Sequence, residues 1–517
     1  MQELGLITRA RAHGRRVAIV SAGRAFTYED LLARSDAIAR SLLARGWAPK
    51  AGQGPSRIAY LLPAGFDHVA TQWAIWRAGA IGVPLSTVQA PAEWAYAVAD
   101  TQASVVVVDP ALEGEMAAAR GRAATPIARV ETLSDAADVS RPCVCDARGA
   151  LILYTSGTTG TPKGVVLTHA NLGAQVRGLV EAWAWQASDR ILHVLPLHHV
   201  HGIVNVLTCA LWAGATCEML PRFDAEAVWQ AFTRRRLTLF MAVPTIYAKL
   251  VAAWDAASPE SRDAMREGCA AMRLMVSGSA ALPVTVREKW RAISGHVLLE
   301  RYGMTEIGMA LSNPLHGERR PGFVGVPLPG VQVRVVDEHG ETVQAGTAGE
   351  LEVRGDGVFR EYWQRQEATA MAFRDTWFRT GDVAVLEGGM YRLLGRLSVD
   401  IIKSGGYKIS ALEIEEVLRE HPQVRECAVV GLEDEAWGER IAVAVTMVGD
   451  APLELEPLRE WAKSRLARYK LPTRLVSVPE LPRNAMGKVS KQAVKGLFDR
   501  LPRVSAPQRG CRAGDPA

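Results

Sequence analysis

At 517 residues the chain exceeds what one hydrophobic core usually organises, so at least two domains are expected. Hydrophobic residues make up 48% and charged residues 22%, which excludes a disordered or fibrous chain. The net charge of +5 comes from 60 basic and 55 acidic residues spread without a basic block, which argues against nucleic acid as a partner.

From the N-terminus, Arg9, Arg11, Arg15 and Arg16 suggest a presequence, but folded-type patterning begins near Val17 and leaves it little room. No apolar run reaches the roughly 18 residues of a membrane span. Cys143 and Cys145 lack a second pair at zinc spacing, and the scattered cysteines are expected to be reduced in a cytoplasm. Short apolar runs at 105–108, 151–154, 191–195, 239–243 and 274–276 alternate with longer segments of helical period. That is the pattern of an α/β protein with largely parallel, buried strands. From about Gly325, residues 331–336 and 349–353 alternate and turn as antiparallel strands do, giving a β-rich lobe. A junction spans 390–406. An α+β domain follows, with a helix at 410–420 that turns Ile414 and Val417 inward, strands at 427–431 and 441–448, and a helix at 456–467. The boundaries are set at 1–396, 397–502 and a frayed tail at 503–517.

Residues 154–164 read YTSGTTGTPKG, after a buried strand and before a stretch read as helix-forming. The glycines Gly157 and Gly160 let backbone N–H groups approach an anion. The hydroxyls of Thr155, Ser156, Thr158 and Thr159 donate, and Lys163 supplies a cation. The spacing is not that of a Walker loop, and the same composition by itself also suits a surface loop. The full string resembles the signature of the adenylate-forming superfamily, which includes acyl-CoA synthetases, peptide-synthetase adenylation domains and firefly luciferase. Further matches follow in chain order: Ser277-Gly278-Ser279-Ala280, Arg301-Tyr302-Gly303-Met304-Thr305-Glu306, Thr380-Gly381-Asp382, Gly395-Arg396 and residues 482–488, PRNAMGK.

The resemblance implies two α/β sub-lobes plus a β-rich lobe, hinged to a small mobile α+β C-terminal domain. It implies that Thr155–Lys163 hold the β- and γ-phosphates of ATP, Thr305 meets the α-phosphate, and Glu306, with Thr159, holds Mg²⁺. Adenine would lie against Tyr302 and the turn of Gly278, Ser279 and Ala280, with Asp382 and Arg396 on the ribose. Gly405 and Gly406 would line the path of coenzyme A, and Lys488 would be the mobile catalytic lysine. The hinge residue usually stands two positions after the ribose-binding arginine; here that position is Ser398 and Asp400 follows, so the hinge is placed within 397–400.

The segment Leu195-Pro196-Leu197-His198-His199-Val200-His201-Gly202 carries His199 at the family's gating, acid-orienting position and adds His201. With Arg301, residues 190–320 resemble the malonyl-CoA and methylmalonyl-CoA synthetase branch, which implies malonate or methylmalonate as the acid. A second carboxylate needs a cationic partner once it leaves water, and Arg301 is assigned that role. A short- or medium-chain fatty acyl-CoA synthetase shares every nucleotide motif. An adenylation enzyme serving a carrier protein is disfavoured because no carrier segment follows Lys488. A silent nucleotide-binding protein is disfavoured by the presence of Lys163, Glu306, Asp382 and Lys488.

Lys488→Ala is expected to remove adenylation, by about 10²–10³ in turnover, while thioester formation from supplied acyl-adenylate survives. Pyrophosphate exchange into ATP measures this, and near-normal exchange would refute the assignment.

Overall fold

The computed structural model describes residues 3–49, 54–120, 125–134, 139–155, 162–404, 407–435, 437–449, 453–483 and 489–499. Ser156, Gly157, Thr158, Thr159, Gly160, Gly405, Gly406, Lys488 and the tail at 503–517 lie outside the described residues. The chain divides into two compact units, one of residues 1–380 and 384–393, the other of 381–383 and 394–517.

In the large unit a parallel core joins strands Leu299–Met304, Leu274–Ser277, Leu239–Ala242, Arg190–His193, Thr216–Met219 and Val17–Ser21 in that order. The runs Leu239–Ala242 and Leu274–Ser277 are buried at every position, as strands covered on both faces must be. The sheet then turns antiparallel through Gly308–Ser312 and Phe323–Pro327 into the β-rich lobe, 14 strands in all. A second, seven-stranded sheet runs from Glu361–Tyr362 through Lys163–Thr168, Gly149–Thr155, Ile81–Pro84, Arg57–Leu61 and Val105–Val108 to Ile127–Arg129. The small unit carries a five-stranded sheet in which Val424–Asp434 pairs antiparallel with Gly438–Met447.

Three local readings are corrected. The fold begins with the helix Gly5–His13, ahead of Val17, because Leu6, Ile7 and Ala10 form one buried stripe between the arginines. The stretch after the Ser/Thr/Gly loop is a strand, Lys163–Thr168, paired antiparallel with Gly149–Thr155; the helix starts only at His169. The loop therefore closes a β-hairpin, and its β-branched exit, Val165 and Val166, pairs where a helix was expected. In the small unit the helix is shorter than expected, Ala411–Leu418; Ile414 is buried and Val417 packs half-buried against the same core, as expected, and Ala411, Glu415 and Leu418 are buried as well. The spacing of Ile414 and Leu418 is i, i+4, which keeps both on one face.

Three histidines of the large unit are buried without charge compensation: His68, His193 and His201. Burial holds His68 and His193 down to about 4, and burial, then the neighbouring Arg301, hold His201 well below the ordinary 6.5. Below about pH 6.5 the unfolded chain takes up protons that the fold refuses, so this stability is complete above that pH and is lost as the pH falls toward 4. Each such histidine is expected to remove about 1.4 kcal/mol per pH unit in that window. Thermal midpoints measured from about pH 7.5 to about pH 5.5 should fall, and fall less steeply in His68→Gln. Equal slopes for the two proteins would contradict the assignment.

Candidate active site

Ligands of parallel sheets gather beyond the carboxyl ends of the strands, and most of the expected acid-site residues stand there. After Arg190–His193 come His198, His199 and His201. After Leu274–Ser277 comes the turn of Gly278, Ser279 and Ala280. Arg301 and Tyr302 lie on Leu299–Met304, and Thr305 and Glu306 form the hairpin turn that follows.

Arg301 is 3% exposed, and its Nε and Nη1 have no hydrogen-bond partner among the described residues. Its Nη2 donates to the Ser279 hydroxyl at 3.3 Å, and that oxygen lies 3.3 Å from His201 Nδ1. The Ser279 oxygen accepts from the guanidinium, and we assign its one proton to Nδ1. The neutral His201 then carries its proton on Nε2, a buried nitrogen with no partner among the described residues. Burial pushes Arg301 from 12.5 down to about 9, so it stays charged at neutral pH. The shift corresponds to an unfavourable charge placement of roughly 5 kcal/mol, a cost that a bound anion removes. The adjacent Glu300 points to the other face of the strand, toward Arg287 at 3.9 Å.

The backbone is shaped around this guanidinium. A Cβ on Gly278 would stand 2.6 Å from Arg301 Cζ, so only glycine leaves room for it. Ser279 sits at φ +70°, a conformation that costs on the order of 1–3 kcal/mol and aims its hydroxyl at Arg301 and His201. The sequence reading sets this turn against adenine; in the structure the Ser279 hydroxyl meets Arg301 and His201. His201 opens a π-helix, His201–Thr208, closed by a hydrogen bond from the Cys209 N–H to the Val204 carbonyl five residues back. π-Segments are rare and frequent at functional sites. Its entry is tight: a Cβ on Gly202 would meet the Pro196 carbonyl at 2.3 Å. His193 Nε2 faces the Gly202 carbonyl at 3.3 Å. His199 is half-buried, its ring 4.0 Å from that of His198.

The two ends of the Ser/Thr/Gly loop are held by residues the sequence did not flag. Tyr154 donates to Asp100 Oδ2 at 2.7 Å, Arg365 donates to Asp100 Oδ1 at 2.9 Å, and Trp363 Nε1 donates to the Asp100 carbonyl at 3.0 Å. Tyr96 donates to the Pro162 carbonyl at 2.9 Å, and the Trp363 N–H donates to the Gly164 carbonyl at 2.7 Å. Thr155 pairs with Lys163 across the neck of the hairpin. Lys163 Nζ lies 5.1 Å above the Tyr362 ring, and the Tyr362 hydroxyl donates to Glu306 Oε1 at 2.9 Å. Tyr362 thus brings together a loop cation and a carboxylate that are far apart in sequence. Nothing in the spacing of residues 359–365 announces this, since the contact is made by a two-residue strand docked on Lys163–Thr168. Thr305 is half-buried beside the buried Glu306, and Tyr302 is buried with its hydroxyl near the Met304 sulfur.

In the small unit, Arg396 Nε lies 3.2 Å from Asp382 Oδ1. Asp400 Oδ2 accepts the Arg396 N–H at 3.1 Å, which closes the 397–400 turn. Past the PRNAMGK segment, Lys491 is anchored to the buried Glu415 and to the Val429 carbonyl, the latter at 2.7 Å.

The AMP-binding enzyme family matches residues 6–363, and the AMP-binding enzyme C-terminal domain matches 413–488. A mitochondrial malonate–CoA ligase of Xenopus laevis is 45% identical over 523 residues, covering 94% of this chain and 90% of its own. A malonate–CoA ligase of Arabidopsis thaliana is 38% identical, covering 93% and 86%. The crystal structure of ATP-bound MatB from Rhodopseudomonas palustris matches with a TM-score of 0.86 at 32% identity, over 96% of this chain and 99% of that chain. A two-part family match over most of the length, with near-full-length relatives, leaves one conclusion: this chain belongs to the AMP-binding enzyme family.

Proposed function

We infer that the chain is an ATP-dependent, AMP-forming acid–thiol ligase that joins malonate to coenzyme A through malonyl-adenylate. In the first half-reaction a carboxylate oxygen attacks the α-phosphorus and pyrophosphate leaves. In the second the CoA sulfur attacks the acyl carbon and AMP leaves. Both steps build negative charge that fixed donors and cations must meet.

The observation that carries the malonate reading is the buried Arg301 with two unpartnered nitrogens, beside a neutral His201 whose Nε2 proton is free to donate. A monocarboxylic acid would leave those donors unanswered, whereas the distal carboxylate of malonate answers them with charge-assisted N–H···O bonds. The malonate–CoA ligases of Xenopus laevis and Arabidopsis thaliana to which the chain is similar support the same acid. Methylmalonate adds one methyl group and keeps both carboxylates. His199, half-buried next to this group, is proposed to orient the reacting carboxylate.

For the nucleotide we propose that the hairpin loop from Thr155 to Lys163 holds the outer phosphates, with Lys163 as its cation. Thr305 serves the α-phosphate, Tyr302 the adenine, and Asp382 with Arg396 the ribose. Mg²⁺ fits the donor set: a hard cation commonly takes one or two carboxylates plus phosphate oxygens, and Glu306 is a buried carboxylate oriented by Tyr362. When bound, the ion neutralises charge on the phosphates. Lys488, Gly405 and Gly406 keep the catalytic and thiol-path roles that the family resemblance implies.

Two outcomes test these roles. Arg301→Ala is expected to lower the malonate-to-butyrate ratio of kcat/KM more than a hundredfold, as breaking a buried ion pair costs roughly 3–5 kcal/mol. Arg301→Lys should be nearly as damaging, because one ammonium cannot reproduce the forked donors. An equal loss for both acids would place Arg301 with the nucleotide or the fold. Tyr362→Phe keeps the ring beneath Lys163 but removes the donor to Glu306. It is expected to raise KM for MgATP about tenfold while the malonate-to-butyrate ratio holds. A changed ratio would mean that Tyr362 acts on the acid.

A further inference from the structure

The π-helix that begins at His201 contains one polar residue with no structural employment. Asn205 is 0% exposed, and neither its Nδ2 nor its Oδ1 has a hydrogen-bond partner among the described residues. Its neighbours in the helix, Ile203, Val204, Val206 and Leu207, are all buried apolar residues. A buried amide without partners is destabilising, so a position with a purely structural task would be apolar like the rest.

Its direction follows from the helix. Where hydrogen bonds run from i to i+5, residues four apart share a face and residues seven apart do not. Asn205 therefore lies on the face of His201, one turn deeper. Thr208 lies on another face; its hydroxyl returns to the Ile203 carbonyl at 2.7 Å, and it lines a separate cavity bounded by Leu4, Trp76 and Trp212. The face shared by His201 and Asn205 holds the unpartnered His201 Nε2, and His201 is joined through Ser279 to Arg301, whose Nε and Nη1 are likewise unpartnered.

We propose that Asn205 is a specificity-determining residue that holds the second carboxylate of the acid together with Arg301 and His201. An amide offers two N–H donors and one acceptor. The donors answer a carboxylate oxygen, and the acceptor answers an N–H of Arg301 or His201. The guanidinium supplies the charge, and the neutral amide and imidazole fix the position of the carboxylate, so the site selects short dicarboxylates by geometry as well as by charge. The inference rests on the malonate reading above.

The test compares wild type, Asn205→Leu and the near-isosteric Asn205→Asp, with malonate, butyrate and MgATP varied in turn and thermal midpoints recorded. Asn205→Leu is expected to raise KM for malonate and to lower the malonate-to-butyrate ratio of kcat/KM by about 10- to 100-fold. KM for MgATP should hold, and the thermal midpoint should stay level or rise, which loss of a structural residue would not produce. Asn205→Asp sets a carboxylate against a carboxylate and should depress malonate use further than Leu does. If Asn205→Leu does not fold, Asn205→Asp is read by the same ratio. An unchanged ratio in the folded variant, or malonate and butyrate falling by one factor, overturns the inference while the malonate reading stands. A wild type that forms no AMP with malonate overturns both.

Discussion

A guanidinium taken out of water and left short of an anion is the constraint on which the acid site depends. Arg301 cannot be solvated where it stands, and its charge persists at neutral pH. Everything around it must either tolerate that charge or use it. Gly278 gives up a side chain to make room, Ser279 adopts a left-handed backbone to accept from Nη2, and His201 is kept neutral so that two cations do not face one another. The cost is borne by the sheet, whose rigid parallel strands hold the three segments along one carboxyl edge. If the group serves the second carboxylate as proposed, the stability spent here makes a site complementary to a dianion before the substrate arrives.

The nucleotide side follows a different logic. The strands on either side of its loop are held by a frame. Asp100 gathers Tyr154, Arg365 and Trp363, while Tyr96 fixes Pro162, so that both ends of the hairpin are tied to one another and to the sheet. Tyr362 then couples the loop cation to Glu306. Aromatic residues suit this task because they supply stiffness from the ring and direction from a single polar atom. In the small unit the corresponding frame is ionic, with Glu415 receiving Lys491 and Arg419, and Asp400 closing the turn after Arg396.

How much of this was legible in the sequence depended on whether a feature was local. The YTSGTTGTPKG string, the YGMTE turn, the Asp382–Arg396 pair and Arg301 stand in short strings whose chemistry is carried by neighbours in the chain, so they could be singled out from the sequence. The alternation of apolar runs gave the α/β class and the β-rich lobe for the same reason, since burial on both faces leaves its mark on every residue of a strand. The helical reading after Lys163 failed because Gly164 to Thr168 obey a partner strand, and a partner strand is not local.

The amino-acid sequence by itself therefore determined the family, the order of the motifs and the residue types that chemistry on phosphate and carboxylate requires. Only the tertiary structure decided that the Ser279 hydroxyl meets Arg301 and His201, that Tyr362 links Lys163 to Glu306, and that His201 and Asn205 lie on one face of a π-helix. The physical reason is that a side chain's protonation, tautomer and free hydrogen-bonding capacity are set by what surrounds it in space. For a buried group those surroundings come from segments distant in the chain, and they meet only when the sheets have formed.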